Sequence, residues 1–106
     1  MAFKIDDVLK GMGEAAAGVL GSELPKVQSC AKAAFDTERD ALSEIAQARI
    51  DGDIDETEMN SQLDDEKEVL KAALLACEVK AKVAVQQAVN AAIDVLTNAI
   101  KAALKP

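Results

Sequence analysis

The chain has 106 residues, half of them apolar, with 19 acids against 12 bases and a formal net charge of −7. That length allows one domain with a thin core, and the acidic balance excludes the basic surface that nucleic-acid binding needs. There is no His, which removes the commonest general base and transition-metal ligand; no nucleophile–base set or phosphate-loop glycine spacing takes its place, so the chain reads as non-enzymatic, without cofactor or metal.

Residues 3–20 form an amphipathic helical segment weakened by Gly11, Gly13 and Gly18. Asp6, Asp7 and Glu14 interrupt the apolar core a secretory leader would require, and no run reaches the length of a membrane span. The expected compartment is the cytoplasm, with leaderless export as the other route. Residues 21–25 break the chain, with Ser22 as an N-cap and Pro25 in the first turn of the next helix. That second helix is expected over 23–50, with Leu24, Val27, Ala31, Ala34, Ala41, Leu42 and Ile45 as its apolar stripe.

Asp51, Asp53 and Asp55 alternate like the first ligands of a calcium loop. An EF-hand starting at Asp51 needs Gly at its sixth position and Glu at its twelfth, where this chain has Glu56 and Gln62. The segment is therefore a turn near residues 51–55. Gly52 stops one helix, and Asp55 caps the next with Glu58 as its capping-box partner. Asp51, Asp53, Asp55, Glu56 and Glu58 make this turn an acidic tip. Residues 36–68 hold 13 acids and 3 bases, so the remaining 6 acids and 9 bases leave the rest of the chain mildly basic.

The third helix is expected over 55–104, since neither Gly nor Pro lies between Asp53 and Lys105. As one unbroken helix it would be a rod of roughly 75 Å, longer than a compact chain of this size. The turn lies at the chain's midpoint, so the fold class expected is all-α, a single domain built as a long antiparallel helical hairpin with a shorter N-terminal helix. Folding about the turn sets Cys30 opposite Cys77, Asp36 opposite Lys71, Arg39 opposite Glu68 and Asp6 opposite Lys101. The two cysteines read either as small apolar residues in a helical interface or as a disulfide. Glu38 and Glu66 fall on the apolar sides of their helices at one level; without His they read as a pair reaching Lys67 or the solvent edge rather than a di-metal centre, with a buried polar group that fixes pairing as the alternative.

The third helix has two apolar faces. Met59, Leu63, Leu70, Leu74 and Cys77 line one, and Val69, Ala72, Ala76, Val79 and Val83 the other; beyond Ala81 the apolar arc covers more than half the circumference. A two-helix hairpin covers one face only. A homodimeric four-helix bundle with coiled-coil-like packing would cover both, with Leu75, Val79, Val83, Val89, Ile93, Leu96 and Ile100 as the oligomer interface. The competing arrangement is a monomer in which residues 3–20 fold back over the second face. The function expected is a structural or protein-interaction module acting as a self-associating helical bundle. The alternatives are an acidic adaptor or inhibitor that binds a basic protein partner through its tip, and a peripheral protein whose residues 79–106 lie on an anionic membrane.

Overall fold

The computed structural model describes residues 3–21, 24–77, 79 and 82–104. Among these the structure is all-helical, with α1 (Ile5–Leu20), α2 (Leu24–Thr37), α3 (Arg39–Ile50), α4 (Glu56–Ala76) and α5 (Lys82–Leu104). The Ser22 cap lies outside the described residues, as do the side chains of Leu24 and Val27 expected on the α2 stripe.

The α3–α4 turn forms from local chemistry. Gly52 takes φ +82, a conformation that costs glycine nothing. The amide of Asp53 then donates to the Ala48 carbonyl at 2.8 Å and that of Gly52 to the Arg49 carbonyl at 3.2 Å, closing the end of α3 as a Schellman motif. Asp55 opens α4 with the expected capping box. The Glu58 amide donates to Asp55 Oδ1 at 2.8 Å, and the Asp55 amide donates to Glu58 Oε1 at 3.4 Å.

Both long helices expected from the sequence are interrupted. The expected 23–50 helix breaks at Glu38, where φ −91 and ψ 4 leave the helical region and the Glu38 amide reaches back only to Phe35. The Thr37 hydroxyl donates to the Ala33 carbonyl at 2.8 Å; a hydroxyl bonded to the carbonyl four residues back competes with the backbone ladder and bends a helix. The expected 55–104 helix breaks after Ala76, where the Cys77 amide tightens onto the Leu74 carbonyl at 3.0 Å. No Gly or Pro dictates this second break; tertiary burial does. Interrupting a helix forfeits a few backbone hydrogen bonds worth about 0.5–1.5 kcal/mol each. Folding α5 back buries Val85, Val89, Ile93, Leu96 and Ile100, each worth about 1.5–3 kcal/mol. Burial outweighs continuity.

The folded chain measures 41 × 23 × 19 Å. α2, α3 and α5 all contact α4, and α1 lies most extensively along α5. α1 and α5 run antiparallel, since Phe3 and Val8 meet Ala99 and Ala103 near one end while Gly11 lies level with Val95 further along. A Cβ on Gly11 would stand 3.2 Å from Val95 Cγ1, so glycine lets the two helices approach closely. The core is one cluster drawn from all five helices, including Met12 and Leu20, Phe35, Leu42, Leu63, Leu70, Leu74 and Leu96.

Candidate functional site

The covering helix decides where the expected interface residues lie. Val89, Ile93, Leu96 and Ile100 are buried inside the single chain, and Val79 with them. The apolar arc of α5 meets α1 within the same molecule, so these five side chains are core and have no surface to offer a second copy. Of the seven, Leu75 and Val83 stay outside, 36% and 70% exposed. Val83 lies near the start of α5. Leu75 shares an exposed outer face of α4 with Val69, 46% exposed, and with Ala72 and Ala76. Asp65 and Glu68 lie on the same face one to two turns nearer the start of α4, and both are exposed.

A groove opens between α1 and α2, with a volume of about 670 Å³. Leu9, Ala16 and Leu20 from α1 and Ala31 and Phe35 from α2 form its apolar floor, with Gly13 and Ala17 beside them. Small residues on both helices create the space: a Cβ built on Gly13 would meet nothing within 4 Å. Two lysines, Lys10 and Lys32, stand on the rim and alternate with Glu14, Asp36 and Asp6. Asp6 is already engaged, because Arg39 at the start of α3 donates from Nε to Asp6 Oδ1 at 2.7 Å. That guanidinium holds the Asp6 carboxyl below the usual carboxylate range, by hydrogen bond first and by charge second. The pair fixes the end of the groove by tying α1 to α3. It replaces the partners expected for these residues: among the described residues Arg39 pairs with Asp6 and Asp40, and the expected Asp36–Lys71, Arg39–Glu68 and Asp6–Lys101 ion pairs are not formed.

The other expected residues take definite positions. Cys30 and Cys77 are joined by a disulfide with Cα atoms 5.7 Å apart, tying exposed α2 surface to the end of α4. Asp51, Asp53, Asp55, Glu56 and Glu58 are all exposed at the α3–α4 turn. Three of them serve the local fold, Asp55 and Glu58 in the capping box and Asp51 as acceptor from Gln47 Nε2 at 2.8 Å. Among the described residues no three His, Cys, Asp or Glu side chains gather closely enough to hold a metal ion, and no helix is long and apolar enough to cross a membrane.

Glu66 is the one strongly perturbed acid among the described residues. Its Oε2 is buried without a hydrogen-bond partner. Burial pushes its carboxyl up to about 7, aided by a hydrogen bond and charge from Glu38 at the α2–α3 break and by the charge of Asp65. Protonated, Glu66 can donate to Glu38; ionised, it faces a like charge in a poorly solvated position.

Comparison with known proteins finds no matching family model, no matching curated protein and no matching solved structure. Among the described residues, apolar surface lies in the α1–α2 groove, along the outer face of α4, and at Val83 and Leu104. The groove went unread in the sequence, although Gly13, Ala16 and Ala17, with Ala31 on the next helix, mark small residues at helical spacing.

Proposed function

We propose that the chain is a non-catalytic helical interaction module that associates with copies of itself. The observation that carries this reading is the exposed apolar face of α4 formed by Val69, Ala72, Leu75 and Ala76. Apolar side chains contiguous along one helix face mark contact surfaces on folded proteins. The interface differs from the one expected along α5: α1 has taken that place, and self-association moves to the outer face of α4. The lack of His, and acids engaged in the α4 capping box and in the Asp6–Arg39 pair, support the non-catalytic reading.

The cysteine pair ties this reading to compartment. Bonded, it suits an oxidising environment; in the cytoplasm the pair would be held as thiols, and α2 would lose its covalent tie to α4. The test of the proposal is absolute mass by light scattering after size exclusion, across a hundredfold range of concentration. Mass rising above 11.1 kDa with concentration is the expected result. A single 11.1 kDa species throughout refutes self-association.

A further inference from the structure

We infer that the Cys30–Cys77 bond is a redox latch on α2: a dithiol reductant frees α2 from α1 and α4 while the other four helices stay folded, and reoxidation closes it again. The latch works within one molecule and does not rest on self-association. α2 is bounded by two breaks in the helical backbone. Gly21 ahead of it takes φ +55, and Glu38 behind it takes φ −91 and ψ 4. Such element-terminal residues are where a chain absorbs a hinge motion. Between them, Cys30 ties α2 down midway along its 14 residues.

Little else holds α2 in place. Among the described residues its buried side chains are Ala31, Ala34 and Phe35, and alanine buries little area. The largest fully buried side chains, Met12, Leu42, Leu70 and Leu96 among them, lie on α1, α3, α4 and α5. α1, α3 and α4 all contact α5; among the described residues α2 does not. Among the same residues no side-chain hydrogen bond or ion pair joins α2 to another helix. The groove of about 670 Å³ leaves α2 incompletely packed on α1. A segment with few buried apolar contacts opens at a lower free energy than the rest of its fold. The frame of four helices keeps its own core when α2 leaves.

The chemistry is thiol–disulfide exchange. Cys30 is exposed and Cys77 buried, so an incoming thiolate meets Cys30 first. It bonds to the Cys30 sulfur, the S–S bond breaks, and Cys77 leaves as a thiolate that takes up a proton. The second thiolate of the dithiol then attacks the reductant sulfur bonded to Cys30. Cys30 leaves and is protonated, and the reductant ends as a cyclic disulfide. Two electrons and two protons have passed from the dithiol to the protein. With the tie gone, α2 swings away and uncovers Leu9, Ala16 and Leu20 of α1, which share the groove with Ala31 and Phe35.

The experiment treats the full chain with dithiothreitol and follows amide hydrogen exchange helix by helix. In the reduced chain, amides of 28–37 should exchange within about tenfold of the unstructured rate, while those of α4 and α5 stay at least about a hundredfold slower. Circular dichroism should lose no more helix than the 14 residues of α2. Trypsin should cut the reduced chain first at Lys32, within α2, and leave that site intact in the oxidised chain. Cys30→Ala/Cys77→Ala should show the open pattern with and without reductant. Replacing the reductant by oxidised glutathione should restore protection of α2 in the wild type alone. Equal protection of α2 and α5 in the reduced chain overturns the latch and leaves the bond a staple of the whole fold. Loss of all protection on reduction also overturns it, because no folded frame then remains for α2 to leave. First cuts at Lys67 or Lys71, in α4, count against it as well.

Discussion

Removing the Cys30–Cys77 bond with Cys30→Ala/Cys77→Ala isolates how much of the fold is held by a covalent tie. Cys30 is exposed and Cys77 sits at the edge of the core, so alanine at either place leaves little cavity. The loss is then mainly the freedom returned to the unfolded chain. The bond closes a loop with a sequence separation of 47, for which the loop-closure relation gives about 4 kcal/mol at 25 °C. With an unfolding entropy near 2.1 cal/mol/K per residue, a chain this long has roughly 0.22 kcal/mol/K in total, so Tm should fall by about 18 °C. In urea the midpoint should drop by about 2–3 M. The assay is thermal and urea unfolding followed by circular dichroism, on the wild type with and without reductant and on the double variant. Reductant should move the wild type onto the double variant's curve and leave the double variant where it was. A difference below about 1 kcal/mol would refute the reasoning, because a bond spanning that loop constrains the unfolded chain by far more.

Glu66 makes stability depend on pH in a stated direction. Its folded carboxyl is raised from 4.5 to about 7, so the native state binds the extra proton and stability falls as pH rises between those values. Glu66→Gln should remove that slope and add about 1–2 kcal/mol above pH 7, after discounting for partial exposure; urea midpoints at pH 5 and pH 8 check it, and an unchanged slope counts against the burial argument. Asp55→Ala deletes the capping-box acceptor at the start of α4 and should cost about 1 kcal/mol in the same assay. Leu96→Ala opens a cavity at a fully buried position and should cost about 2–5 kcal/mol. Leu96→Glu should abolish cooperative unfolding, and a folded, merely dissociated Leu96→Glu would place this side chain at an interface after all.

The parts of the fold legible in the sequence are those set by near neighbours. Gly52, Asp55 and Glu58 fixed the α3–α4 turn because a left-handed glycine and a reciprocal cap act within a few residues. The inner stripe of α4 was legible because Met59, Leu63, Leu70 and Leu74 repeat at helical spacing against one neighbouring layer. The breaks at Glu38 and after Ala76 were not, since no Gly or Pro marks either one and both appear only when the helices are packed together. The wide apolar arc of α5 called for a covering surface without naming it, and α1 supplies it despite its glycines; Gly11 sits against Val95, where an added Cβ would stand 3.2 Å from its Cγ1. A groove is a relation between two helices. Its lining residues were visible singly, but the space between them was not.

The disulfide also sets how the molecule bears load. α3 and nearly all of α4 lie inside the closed loop, whereas α1 and α5 lie outside it. A pull on the two termini is carried from Cys30 to Cys77 through the bond, so the loop is never stretched. Tension peels α1 from α5 and then stops. At about 3.4 Å per residue the bonded chain extends to about 200 Å, against about 360 Å once the bond is reduced. The turn and central helices are kept as a slack, protected store of length.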